Sequence, residues 1–199
     1  LNASGRAPAA WTPAYFHQRY GSAPTPPRRG VDSVTVPGAV SAWAALSERF
    51  GSLPFADLME PAAEIAERGY LVPPVVQQKW AAGAPELQSQ PGFRESFLPR
   101  GRAPEVGELF RFPDYAATLR ALAATDCESY YRGALMERIV AFSRATGGYF
   151  CEDDFRNYRP EWVEPITQDY RGYTACEIPP NGHGITVLMA LGILNGMTM

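Results

Sequence analysis

Lysine is nearly absent from this 199-residue chain: Lys79 is the one lysine among 18 basic residues, and the rest are arginine. Against 21 acidic residues the net charge is only −3. Such a balance excludes the cationic surplus that holds a polyanion, so no nucleic-acid partner is expected. Cysteine is scarce too. Cys127, Cys151 and Cys176 are odd in number and lack CxxC spacing, which excludes a disulfide framework and a zinc site of the usual kinds. No apolar run approaches the ~20 residues of a membrane-spanning helix. No signal peptide is visible after Leu1, and the compartment stays open. No cofactor motif is present.

What the chain does have is apolar residues, 46% of the total, and 19 prolines that divide it into short segments. Residues 1–36 read as loop-rich, and Pro24, Pro26 and Pro27 exclude a central strand or long helix there. Helices are predicted over 38–50, with Trp43, Leu46 and Phe50 as the inward stripe, and from Phe55 to Arg68, with Leu58, Ala62, Ile65 and Ala66 on one face. Gly51 is expected in the left-handed position that closes the first. A third helix starts near Pro74 and carries Trp80. Residues 83–112 show no sustained period. Further helices are predicted from Pro113 to Ala124 (Tyr115, Leu119 and Leu122 inward), at Glu128–Arg132, around Leu135–Phe142, and at Cys151–Tyr158. After Pro160 the pattern turns to β-branched and aromatic residues. Val163–Tyr170 and Tyr173–Ile178, joined by Arg171-Gly172, read as a β-hairpin. Ile185–Leu194 then forms an apolar helix, with Gly192 inside it at some cost. A helix this apolar needs cover on several sides, and nothing after it supplies that cover. The chain is therefore expected to be part of a larger unit.

Short segments along the chain, in a fixed order, resemble the γ-glutamyltransferase family. They begin with Gly5-Arg6-Ala7-Pro8-Ala9-Ala10 and Thr35-Val36-Pro37-Gly38-Ala39-Val40, followed by Gly51-Ser52-Leu53-Pro54-Phe55. Glu60-Pro61-Ala62, Ala66-Glu67-Arg68-Gly69-Tyr70 and Tyr130-Tyr131-Arg132-Gly133 come next. Gly147-Gly148, Asp153-Asp154-Phe155 with Tyr158, Glu164-Pro165-Ile166, Tyr170-Arg171-Gly172-Tyr173 and Pro179-Pro180-Asn181-Gly182-His183-Gly184-Ile185 complete the set. Each is weak alone; their shared order and spacing carry the resemblance.

The resemblance implies an α+β fold, part of an N-terminal nucleophile hydrolase αββα sandwich, mostly helical here with a β-hairpin near the C-terminus. Residues 1–199 would be a partial large subunit of one such domain. The family's precursor cleaves itself before a threonine, whose free α-amine can then serve as base for its own hydroxyl. An acyl-enzyme forms and passes a γ-glutamyl group to water or to an amino acid, with an oxyanion hole for the tetrahedral states. The threonine and the oxyanion glycines belong to the small subunit, downstream of this sequence. No catalytic residue is therefore expected within the chain, and neither Thr186 nor Thr198 sits in the processing context. The expected partners are that small subunit and a small γ-glutamyl or acyl-amide substrate such as glutathione, with no cofactor and no metal. A glutaryl- or cephalosporin-type acylase of the same fold is one alternative. A non-catalytic interaction domain derived from the family is another.

One position departs from the family. Well-studied members carry an arginine four residues before the proline of this first motif, where it grips the α-carboxylate of the glutamyl group through a bidentate fork. Here that position is Ser4, and the nearest arginine is Arg6. In an extended segment the two-residue shift moves a side chain by ~7 Å while keeping it on the same side. Arg6 thus either reaches the substrate carboxylate by another path or packs structurally. His183, between two glycines, is a weaker candidate base, and His17 reads as surface or packing. Adjacent Asp153 and Asp154 favour a helix N-terminus over a metal pair. Trp11, Tyr15, Phe16 and Tyr20 form an aromatic group near Arg19, and Arg28-Arg29 faces solvent.

Overall fold

Phe155 and Met136 are fully buried, and six helices close around them. In this computed structural model, residues 1–22, 25 and 27–197 are described. The prolines at 24 and 26, read as loop punctuation, and Thr198 lie outside the described residues.

The helices of the core are α2 (Ala39–Phe50), α3 (Phe55–Arg68), α6 (Pro113–Ala123), α7 (Glu128–Arg132), α8 (Ala134–Ala145) and α9 (Glu152–Arg156). The first pairing is α3 on α6, where Met59 and Ala63 join Ala116, Leu119 and Leu122 in one apolar cluster. Tyr131 from α7, Leu135, Met136 and Val140 from α8, and Phe155 from α9 join it, with Val36, Val40, Cys127 and Tyr158. Outside the core, Thr12 caps α1 (Pro13–Tyr20) by accepting from the Tyr15 amide at 3.1 Å. This helix lies inside the stretch expected to be loop. A proline at its first position and a good N-cap suffice to start it.

Three inward faces differ from expectation: on α6 Tyr115 is exposed, while Leu119 and Leu122 are buried as predicted. Trp43, Leu46 and Phe50 are exposed on α2, and Val40 is its buried residue. Leu58 and Ile65 are likewise exposed, while Met59 and Ala63 face α6. Helical periodicity finds an apolar stripe, but α2 and α3 carry apolar residues on more than one face, and only the packing partner selects one. Phe50 and Arg49 instead meet the Trp162 ring, the guanidinium 4.1 Å from its centroid. Gly51 is extended rather than left-handed. Its lack of a side chain serves space, because a Cβ would meet the Ser47 carbonyl.

The stretch from 83 onward is more ordered than its prolines suggest. α4 (Pro74–Leu87) runs through Pro85, and α5 (Phe93–Phe97) follows. β1 (Tyr70–Leu71) pairs antiparallel with β2 (Leu109–Phe110). Trp80 joins these pieces: its indole donates to the Phe97 carbonyl at 2.9 Å and its ring lies 4.8 Å from Phe110. Strands of two residues drawn from segments this far apart leave no periodic trace.

The predicted hairpin is present. β3 (Ile166–Tyr170) pairs with β4 (Tyr173–Glu177) in register Tyr170↔Tyr173. Arg171 and Gly172 both have positive φ, as a two-residue turn matching strand twist requires. Asn181-Gly182, in contrast, makes its turn without positive φ at Gly182. α10 (Gly184–Asn195) lies on the hairpin. Gly192 sits against the Gln168 side chain, where a Cβ would crowd the amide; close helix–strand approach is its reason for being there. Leu188 is buried, but Val187, Met189 and Ile193 remain exposed. No helix among the described residues is long and apolar enough to cross a membrane.

Candidate functional site

The segment that holds Ser4 and Arg6 is extended and tied down at several points. The amide and carbonyl of Asn2 bond reciprocally with those of Glu161, at 2.7 and 2.8 Å. The Asn2 side chain accepts from the Ser4 amide at 3.0 Å and donates to Asn181 at 3.4 Å. The Val36 amide donates to the Arg6 carbonyl at 3.0 Å. The Ala9 amide donates to Asp154 at 2.8 Å.

Two glycines allow these close approaches. A Cβ on Gly5 would collide with the Val36 carbonyl, and one on Gly38 with the Ala3 carbonyl and the Tyr158 hydroxyl. Chain segments 2–6 and 35–38 thus run backbone against backbone, which explains glycine at both positions without any demand on φ.

Beneath them stand two stacked tyrosines, Tyr131 and Tyr158, with ring centroids 5.5 Å apart. The Tyr131 hydroxyl donates to the Pro37 carbonyl at 2.7 Å and accepts from the Ser41 amide at 3.1 Å. Burial pushes its pKa up to about 12, with the Ser41 contacts working the other way. The Tyr158 hydroxyl is buried and has no hydrogen-bond partner among the described residues.

On the outer side, Arg6 Nη2 lies 2.7 Å from Glu161 Oε1, with side chains 68% and 57% exposed. Arg6 therefore does not pack into the core. It stands at the surface with one of its five N–H donors engaged by a carboxylate. Ser4 is exposed beside it. The segment, Glu161 and Asn181 come from three distant parts of the sequence. Nothing in the spacing of Arg6 and Glu161 predicts their pairing, and sequence reading missed Glu161 for that reason.

The other candidates are dispersed. His183 is exposed at the N-terminal end of α10, and its carbonyl accepts from the Thr186 amide. His17 is exposed on α1. Asp154 completes a capping box on α9, accepting from the Cys151 amide at 2.9 Å, and Glu152 pairs with Arg156. The helix-terminus reading of this acidic run stands. No group of three His, Cys, Asp or Glu among the described residues is placed to hold a metal. Arg29 binds Glu86 at 2.9 Å rather than water alone. The aromatic group around Arg19 is present, and Asp32, overlooked in the sequence, organises it. All three cysteines are free thiols.

A cavity of about 580 Å³ opens beside Ser41, Phe55, Cys127, Tyr131 and Arg132. Tyr158, Arg159 and Pro160 also line it, and burial pushes the Cys127 thiol up to about 11, so that thiol is protonated at neutral pH.

The Gamma-glutamyltranspeptidase family model matches residues 1–199. The chain belongs to this family. Among solved structures, a cephalosporin acylase from Bacillus halodurans superposes with a TM-score of 0.94 at 45% identity, covering 100% of this chain and 38% of that one. A gamma-glutamyltranspeptidase from Helicobacter pylori superposes with a TM-score of 0.92 over 99% of this chain and 57% of that one. At 23% identity it speaks for the fold alone. Among curated relatives, the Glutathione hydrolase-like YwrD proenzyme of Bacillus subtilis is 38% identical over 84% of this chain and 32% of its own length. The Acylase ACY 1 proenzyme of a Pseudomonas species is 37% identical over 84% of this chain and 30% of its own. The chain thus spans about a third of the length of the curated relatives it matches. The expected class holds: the chain is α+β, within the N-terminal nucleophile hydrolase fold of this family, and mostly helical with a hairpin near its C-terminus.

Proposed function

We propose that this chain is the large-subunit part of a self-processing γ-glutamyl transferase or hydrolase. Residues 1–199 supply one part of an αββα domain. A small subunit from the same precursor supplies the threonine nucleophile and the oxyanion donors, and the acyl group of a γ-glutamyl amide such as glutathione passes through an ester on that threonine. Arg6 is the group of this chain that meets the carboxylate of the donor. The family match over the whole chain carries the reading, and the glutathione hydrolase-like proenzyme at 38% identity supports it. The test is expression of the full-length protein. Mass spectrometry is expected to find two polypeptides from one gene, and γ-glutamyl-p-nitroanilide is expected to be hydrolysed. A single unprocessed species with no turnover sinks the proposal.

A second reading has its own support. Ser4 occupies the place of the family's carboxylate-gripping arginine, and the 45%-identical structure is a cephalosporin acylase. On this reading the donor is a glutaryl- or cephalosporin-type amide. Brisk hydrolysis of glutaryl-p-nitroanilide beside poor hydrolysis of the γ-glutamyl compound selects it.

A further inference from the structure

We propose that Glu161 is a specificity-determining residue that competes with the donor carboxylate for Arg6. The proposal rests on the reading of Arg6 as the donor-binding group, and it applies to either class of donor. Guanidinium and carboxylate recognise each other through charge-assisted bonds, and at 2.7 Å the Glu161 carboxylate already occupies one donor of Arg6 and neutralises its charge. Within residues 1–199 more than half of each side chain is exposed, so on this surface a carboxylate can approach the pair. It must then share or displace Glu161.

The pair is held in position by its backbone. Glu161 is bonded to Asn2 through both its amide and its carbonyl, four residues before Arg6. Asn2 in turn reaches Asn181. These backbone links hold residue 161 beside Arg6 whatever its side chain, and glutamate there supplies the carboxylate. The buried Tyr158 hydroxyl, without a hydrogen-bond partner among the described residues, lies under the same segment. The arrangement lowers affinity for donors that carry a carboxylate at this end and leaves uncharged acyl donors unaffected. It would make a γ-glutamyl amide a modest rather than a tight substrate.

The experiment uses full-length processed protein as wild type, Glu161→Gln, Arg6→Gln and the double variant. Glutamine keeps the backbone bonds and can still accept from Arg6, so only the charge is removed. KM and kcat are measured for γ-glutamyl- and glutaryl-p-nitroanilide, which carry the carboxylate, and for pentanoyl-p-nitroanilide, which does not. Glu161→Gln is expected to lower KM for the two charged donors about three- to fivefold, the scale of an exposed ion pair. Little change in kcat and none for the uncharged donor are expected. The gain should shrink in added salt and vanish in the double variant. An unchanged KM, or equal changes for charged and uncharged donors, overturns the proposal. Free glutarate gives a readout independent of turnover: its stabilisation of the protein against heat should be larger in Glu161→Gln and lost on Arg6→Gln. Should the wild type hydrolyse none of the donors, the enzymatic reading fails, and the glutarate titration still decides the role of Glu161: equal stabilisation in wild type and Glu161→Gln overturns it.

Discussion

Arg19 Nε lies 2.8 Å from a carboxylate oxygen of Asp32, whose side chain is 1% exposed. The same carboxylate accepts from the Tyr15 hydroxyl at 2.6 Å and from the Tyr20 hydroxyl. One buried acid thus pins helix α1 to the turn at Val31–Ser33. Asp32→Ala strands three donors and is expected to cost about 2 kcal/mol in chemical denaturation of the full-length protein. That is below the usual penalty for breaking a buried pair, because Arg19 remains partly solvated. A loss indistinguishable from zero would contradict this role.

The same group has an alkaline signature. Burial first, and then the bond and charge of Asp32, raise the Tyr15 pKa well above its ordinary value. A raised phenol binds its proton more tightly in the folded state. Its contribution is complete below the unfolded value of about 10 and is lost as pH rises through the folded one. Melting temperature should therefore fall above pH ~10, and Asp32→Asn should flatten that fall in part, leaving the share due to burial.

Gly5→Ala and Gly38→Ala each place a methyl group into a backbone carbonyl of the facing segment. Neither neighbour is a flexible side-chain tip that can move aside. Each change is expected to destabilise by about 3 kcal/mol, the upper end for overpacking. Gly147→Ala, with open space around it but positive φ, should cost about 1 kcal/mol. Thermal unfolding of the three variants side by side checks the order.

Phe155 is fully buried, with its ring 5.1 Å from Phe150 and 6.5 Å from Tyr130. Phe155→Ala is expected to cost about 4 kcal/mol and Phe155→Leu much less, since leucine refills most of the space. Equal losses in denaturant titrations would show that the site collapses freely.

Cys127 is buried, and its thiol is raised to about 11 by burial and by the nearby Asp126 and Glu128. It should resist iodoacetamide at pH 8 in the native protein and react once the chain is unfolded. Mass spectrometry of the alkylated peptide reads both states. Native labelling at a rate near that of a free thiol would contradict its burial.

Helices with a start signal and a period were legible in advance, as α6, α8 and the short α7 show. So was the hairpin, because Arg171-Gly172 between two β-rich runs is a local signal. The inward faces of α2 and α3 were not. Trp43, Leu46, Leu58 and Ile65 are apolar yet exposed, and which stripe α3 buries depends on α6, which begins 45 residues after α3 ends. The β1–β2 ladder and the packing of Trp80 were hidden for the same reason. At the candidate site Arg6 could be named from its place before Pro8, while its partner Glu161 could not.

By itself, then, the sequence determined the family, the α+β class and most of the helices, because ordered motifs, caps and turns are properties of neighbouring residues. Tertiary structure alone decided that Arg6 meets Glu161 and that Gly5 and Gly38 are needed for space. It also made Asp32 the anchor of α1. Each of these is a contact between residues distant along the chain, made by close packing of backbone on backbone or by burial of a charge among its donors.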